Sequence, residues 1–418
     1  MLSRCIARYL DAMLPACQSC AVPIFAPFRA LRYRDTANLE ALTAPPYDVL
    51  SAADRAALAA RHPNNVVAID LPEGDDPYAN AARIMASWRD TGVLVADERP
   101  SFTLYRMRFV DASGARRDTV GVIGALEVVD EGADGVLPHE RTTPKAKTDR
   151  LDLTRATRAN LSPVWGLSLR EQLTDALLAA GHLVGEFVDD TGVTHRVERV
   201  DDPARVRSIA SIVGSAPVLI ADGHHRYAIA RTYRDEMRGT PLDGAARTTM
   251  TYVGELVEQQ LSIAAIHRLY RGISVEQLRD VLSRSFDIAP VADASHAVNS
   301  SVIAEMSRRG SLCLVDTSLR GWWLTPKPDA FVGLRDLDSD RLEAALRTVT
   351  HEVAYQHGFD EVTAMLRAGH AQSAIFIRPT SIAEIRRTAD ERMLMPPKST
   401  FFTPKLRTGL VIRPLDLA

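Results

Sequence analysis

The stretch Val218–Ala230, VLIADGHHRYAIA, decides how this chain is read. The apolar run from Pro217 to Ala221 reads as a buried strand, Asp222-Gly223 as a tight turn, and the residues that follow as a helix. A helix beginning after Gly223 presents unpaired backbone N–H groups and the positive end of its dipole, and glycine leaves no side chain in the path of an approaching anion. Arg226 adds a forked donor matched to phosphate oxygens, while His224 and His225 can donate hydrogen bonds or shuttle a proton near neutral pH. The stretch is therefore expected to cradle a phosphate. Asp222, at the strand end, could ligate a metal, orient a histidine or cap the helix. Adjacent helical residues project about 100° apart, so His224 and His225 are not expected to chelate one ion together. The plainer alternative is a capped helix whose histidines are bonded to backbone.

Composition bounds the rest. A chain of 418 residues has room for about two or three domains, and 46% hydrophobic with 25% charged residues is the make-up of a soluble globular protein. A net charge of -3 gives no global attraction to nucleic acid or anionic membranes, so an anion site has to be built locally. No apolar run is long enough to span a membrane. Cys5, Cys17, Cys20 and Cys313 form no disulfide framework, which fits a reducing cytoplasm, and CQSC lacks the second Cys or His pair of a zinc site. Residues 1–22 read as an N-terminal extension rather than a secretory signal, because Arg8 and Asp11 interrupt the apolar stretch.

The expected fold class is α/β (α+β). Residues 23–272 form a core, 273–385 a second α/β subdomain, and 386–418 a segment that folds back on the core. Within the core, Ser51 is expected to open a helix, VVAIDLP to be a strand ending at Pro72, and SFTLYRMRFV with TVGVIGALEVV to pair as a hairpin. In the subdomain, SVEQLRDVLSRSF and DSDRLEAALRTVTHEVAYQHG read as helices around the strands SLCLVDTS and GWWLTP. Trp322 and Trp323 should then face opposite sides of their strand, and His267 should be satisfied in the core.

Two further segments are dense in chemistry. HERTTPKAKTDRL packs His139, Glu140, Arg141, Lys145, Lys147, Asp149 and Arg150 between apolar strands. Pro144 and Thr143 rule out a zinc-protease helix there. A carboxylate, Glu140 or Asp149, could act as general base, while His139, Arg141, Lys145, Lys147 and Arg150 could hold a substrate. MPPKSTFFTPKL offers Lys398 and Lys405 on a proline-stiffened backbone, either for phosphate or simply for docking the tail. Asp48 in APPYDVL and Asp70 in VVAIDLP read as turn or cap residues. There is no Walker A pattern, no GxGxxG after a strand and no GxSxG elbow.

The ordered motifs FRALRY, APPYDVL, VVAIDLP, HERTTPKAKTDRL, ANLSPVWGLS, IADGHHRYAIA and MPPKSTFFTPKLRTGLVI resemble a bacterial family of unknown function often labelled ParB-like, from about Ile24 onward. The DGHHR stretch is also similar to the motif of ADP-dependent free serine kinases of the ParB/sulfiredoxin fold. That resemblance implies a nucleotide-binding core in which Asp222, Gly223, His224, His225 and Arg226 hold phosphates, with Glu140 the nearest analogue of the kinase's glutamate. It implies a nucleotide (ADP, ATP or CTP), Mg2+ and a small hydroxyl acceptor such as serine. A nucleotide-gated regulatory protein and a phosphatase acting on phosphoserine are the alternatives. The absence of a basic helix-turn-helix module after Ile273 argues against nucleic acid as a partner. Oligomeric state is left open.

Overall fold

The computed structural model describes residues 22–111, 114–141, 148–291 and 298–417. Cys5, Cys17 and Cys20 of the expected extension, and the loop residues Lys145 and Lys147, lie outside the described residues. The protein is a mixed α/β structure that divides into two compact units. The first takes the chain up to Pro138, residues 142–261 and everything from Pro404 on; the second takes His139–Arg141 and Ser262–Thr403.

A nine-stranded sheet organises the first unit. Its strands are β1 (Phe25–Ala26), β2 (Phe102–Val110), β3 (Arg116–Glu127), β4 (Val136–Pro138), β5 (Val164–Ser168), β6 (His182–Val188), β7 (Thr194–Val200), β8 (Val218–Asp222) and β9 (Thr248–Glu255). They run in the order β4-β8-β5-β9-β3-β2-β7-β6, with β1 paired on β3. The pairs β8–β4 and β9–β5 are parallel, and the other pairs in that order are antiparallel. The expected hairpin is β2–β3, in register from Thr103↔Ile123 to Val110↔Arg116.

The helices that matter to the site are α1 (Ala52–Arg61), α2 (Val67–Asp70), α3 (Pro77–Asp90), α4 (Thr148–Thr157), α5 (Pro203–Val213) and α6 (His224–Met237). Ser51 opens α1 with a capping box: its hydroxyl accepts from the Asp54 N–H at 3.2 Å, and the Asp54 carboxylate accepts from the Ser51 N–H at 2.9 Å. Phe25, Phe102, Val122, Ile209 and Tyr227 belong to one buried cluster, and Leu31, Tyr33, Ile69, Trp88, Leu153 and Ile412 to another.

VVAIDLP is not a strand. Val67–Asp70 forms a helical turn: the Asn65 carboxamide oxygen accepts from the Val67 N–H at 3.0 Å just before it, and the Ile69 and Asp70 N–H groups close on the Val66 carbonyl, overriding the extended preference of two adjacent valines. One consequence is that Asp70 points inward and is only 2% exposed.

The second unit is built on a six-stranded sheet. The unit's strands are β10 (Ser262–Ala264), β11 (Ile266–Arg271), β12 (Phe286–Pro290), β13 (Leu312–Asp316), β14 (Gly321–Pro326), β15 (Glu352–His357), β16 (Ser373–Phe376) and β17 (Phe401–Thr403), of which β11 to β16 make the sheet. The sheet order is β12-β14-β13-β16-β11-β15, and β10 with β17 makes a separate antiparallel pair. Helices Val275–Leu282, Ser301–Arg309 and Asp338–Leu346 appear where their periodicity places them. HEVAYQHG does not continue the last of these. The helix ends at Leu346, and Glu352–His357 becomes the edge strand β15, its Val353 and Tyr355 opposite Tyr270 and Arg268 of β11. Trp322 and Trp323 alternate as expected: Trp323 is buried, while Trp322 is half-buried with the Arg279 guanidinium 4.5 Å from its ring centre.

Candidate functional site

Strand β8 ends in a bulge. Val218, Leu219 and Ile220 pair regularly with β5, the register shifts across Ala221, and Asp222 comes to lie opposite Trp165. The extra residue turns the Asp222 carboxylate toward the start of α6. Gly223 then reverses the chain at φ 84° and ψ 28°, in the left-handed region. A Cβ at this position would sit 2.9 Å from Arg226 Nε, so glycine also leaves room for that guanidinium. Arg226 Nη2 donates to Asp222 Oδ2 at 3.2 Å, and Nη1 donates to the carbonyl of Pro163. Lys405 Nζ reaches the same Asp222 oxygen at 3.4 Å.

This is a carboxylate held between two cations with a helix start beside it. Burial alone would raise the Asp222 carboxyl, but Lys405, Arg226 and His224 outweigh it and hold it at about 2. Burial also works against the charge on Arg226, and Asp222, Asp48, Tyr47 and Asp70 reverse that effect and raise it. Arg226 and Asp222 are therefore both ionised at neutral pH. His224 and His225 are both half-buried on the first turn of α6.

Two residues that the sequence treated as ordinary turn or cap positions belong to this electrostatic cluster: Asp48, which is exposed, and the buried Asp70. Burial raises the Asp70 carboxyl, with Arg150 and Arg226 opposing that rise. Arg150 donates from Nη1 to the Asp70 backbone carbonyl at 2.6 Å and to Oδ1 at 3.1 Å, and from Nε to Asp149 Oδ2 at 2.7 Å. Its guanidinium lies 4.3 Å from the centre of the Tyr47 ring. Asp149 also accepts from the Tyr78 hydroxyl at 3.0 Å. Arg150 lines two clefts, one with Asp70 and Arg226, the other with Arg55, Tyr78 and Asp149.

The profile of a family described as "Protein of unknown function (DUF1015)" matches residues 25–347. The chain belongs to the DUF1015 family. Among curated proteins, none matches this DUF1015 chain. Among solved structures it is similar to a conserved hypothetical protein from Pyrococcus furiosus, at 12% identity and a TM-score of 0.37 over 68% of this chain and 94% of that one. It is also similar to a free serine kinase in complex with AMP, at 11% identity and a TM-score of 0.36 over 66% of this chain and 88% of the other. A third similar structure is SbnI with C-terminal truncation from Staphylococcus aureus, at 12% identity and a TM-score of 0.38 over 70% and 88% of the two chains.

In the DUF1015 chain, the residues singled out in the sequence separate into two groups. Asp222, Gly223, His224, His225, Arg226, Asp149, Arg150 and Lys405 lie in the first unit. His139, Glu140, Arg141 and Lys398 lie in the second. There, His139 is 1% exposed and its Nε2 is 2.7 Å from Thr400 Oγ1 and 3.8 Å from Glu140 Oε2. Hydroxyl and carboxylate thus face the same ring nitrogen, whereas a nucleophile relay needs them on opposite ones. Glu140 Oε2 accepts from the Ser399 N–H at 3.3 Å, and Arg141 pairs with Glu343 at 2.8 Å. Lys398 is exposed at φ 60°, and its carbonyl accepts from Arg268 at 3.1 Å.

The link from Asp48 and Asp70 to Arg226 was missed because each carboxylate stands alone in its own motif. The signal available was that APPYDVL and VVAIDLP each carry a single acidic residue within an apolar stretch. Among the described residues, no three His, Cys, Asp or Glu side chains converge as metal ligands, and Asp222 already pairs with two cations. These residues do not fit a metal centre built by the protein alone. No helix among the described residues is long and apolar enough to cross a membrane.

Proposed function

We propose that this protein is a nucleotide-dependent phosphotransferase acting on a small hydroxyl compound, with free serine as the first acceptor to test. The observation that carries this reading is the pairing of Arg226 and Lys405 around Asp222 at the left-handed Gly223 turn, directly before α6. Two fixed cations and a row of helix-start N–H groups supply what a transferring phosphoryl group needs, namely positioning and charge neutralisation. The nucleotide-binding ParB/sulfiredoxin-like core belongs to the same reading.

In this reading, phosphate oxygens of ADP, ATP or CTP lie against the Gly223 turn, His224, His225 and Arg226, with Lys405 closing the site. The terminal P–O bond to the nucleotide breaks, a new P–O bond forms to the acceptor oxygen, and a carboxylate takes the hydroxyl proton. Asp48 joins Asp149 as candidate base, because it lies in the field of Arg226. Arg150 holds the acceptor side. Mg2+ enters as the companion of the nucleotide phosphates.

The test is incubation of the purified chain with serine, Mg2+ and each of ADP, ATP and CTP, followed by quantification of phosphoserine and nucleotide. Phosphoserine from one of the three, abolished in Arg226→Ala, is the expected result. No product and no nucleotide consumption with any of them overturns the kinase reading, and a nucleotide-induced rise in Tm without turnover turns it into nucleotide-gated regulation.

A further inference from the structure

We propose that Arg407 is a positioning residue for the anion site: it fixes both the segment that brings Lys405 to Asp222 and the loop that brings Tyr47 and Asp48 into the field of Arg226. The proposal rests on the phosphate-site reading above. Arg407 is 6% exposed, two residues beyond Lys405. Its Nε donates to Thr43 Oγ1 at 3.0 Å, and Nη2 donates to the Thr43 carbonyl at 2.9 Å and the Glu40 carbonyl at 3.4 Å. Next to these contacts the two backbones exchange hydrogen bonds, Ala44 N–H to Thr408 carbonyl at 3.2 Å and Thr408 N–H to Ala44 carbonyl at 2.8 Å. Thr43 and Ala44 lead straight into Pro45, Pro46, Tyr47 and Asp48.

The other end of the guanidinium is anchored to the sheet. Arg407 Nη1 lies 3.6 Å from Asp189 Oδ2, and its Cζ lies 5.4 Å from the centre of the Phe187 ring. Asp189 is itself fixed, accepting from the N–H groups of Thr191 and Val193 and lying 2.9 Å from His195 Nε2. The buried His195 ring is 5.0 Å from Phe187 and has Nδ1 2.7 Å from the Tyr105 hydroxyl. One planar cation with five donors thus ties three pieces of chain together: the 404–408 segment, the 43–48 loop and the turn between β6 and β7. Lysine, with a single point of charge, cannot reproduce that fork.

The experiment is a double-mutant cycle on ADP affinity, measured by calorimetry with Arg407→Lys, Lys405→Ala and the pair, beside the rate of Lys405 acetylation by an active ester, read by mass spectrometry. If Arg407 acts through Lys405, Arg407→Lys weakens ADP binding by about tenfold in the native background and adds no further loss in the Lys405→Ala background. Lys405, 16% exposed and paired with Asp222, should also be acetylated several-fold faster in Arg407→Lys and in Arg407→Ala. Additive losses, or an unchanged acetylation rate in a folded variant, overturn the proposal. A native chain that binds no ADP overturns the nucleotide reading instead, while the acetylation rates still decide whether Arg407 positions Lys405.

Discussion

The turn at Gly223 in the first unit and the knot of His139, Glu140, Ser399 and Thr400 in the second are comparably rich in polar side chains, and they use them in opposite ways. Around Gly223 the groups are ionic: one carboxylate between two cations, at a helix start whose N–H groups point outward. In the second unit the groups are mostly neutral and close on backbone. The Ser399 hydroxyl donates to the Pro396 carbonyl at 2.7 Å and lies 3.1 Å from Ser339 Oγ, and the Thr380 hydroxyl donates to the Ser399 carbonyl at 2.9 Å. A charged cluster responds to an arriving anion, whereas a closed hydrogen-bond knot mainly holds chain together.

Substitutions can break this comparison. Arg226→Ala should have the largest effect, costing about 3 kcal/mol because it leaves Asp222 poorly compensated, and removing any nucleotide-induced rise in Tm. Denaturant unfolding and a thermal-shift titration would measure the two effects. If stability falls and the nucleotide shift survives, the phosphate reading of the turn is lost.

Asp222 makes an acid-dependent contribution. Its folded pKa of about 2 lies below the unfolded value near 3.8, so its stabilisation is complete above about pH 5 and is lost as pH falls toward 2. The shift corresponds to about 2 kcal/mol. The stability gap between the native chain and Asp222→Asn should therefore close over that window, followed by urea unfolding at stepped pH.

Thr400→Val tests the second cluster. It should cost about 1.5 kcal/mol by removing the buried Thr400 hydroxyl from His139 Nε2, and leave ADP affinity unchanged. A fall in ADP affinity would instead draw the knot into the functional site. At pH 5.5 the smallest effect is that of His195, whose burial holds its imidazole at about 4, below the unfolded value of 6.5. The neutral form is the folded one, so stability is full above about 6.5 and declines as pH drops toward 4. The decline is about 1 kcal/mol at pH 5.5, and NMR titration should find the His195 ring still neutral there.

Sequence periodicity located the elements that carry the first cluster well, because strand β8, the Gly223 turn and α6 are each specified locally by an apolar run, a glycine and a helical repeat. It failed where tertiary or local contacts outweighed propensity, at Val67–Asp70 through Asn65 and at Glu352–His357 through pairing with β11. Asp48 and Asp70 could not be recognised as partners of Arg226, since nothing in a linear pattern reports which distant carboxylate a buried arginine will face. Lys405 and Lys398 looked alike on one short motif, yet the chain passes from one unit to the other between them.

Ser262 and Thr403 pair directly in β10–β17, so the chain begins and ends its long excursion through the second unit at one point. Lys405 follows immediately after. The chain thus leaves and re-enters the first unit through one pair of strands, and the residue that pairs with Asp222 is the second one after its return.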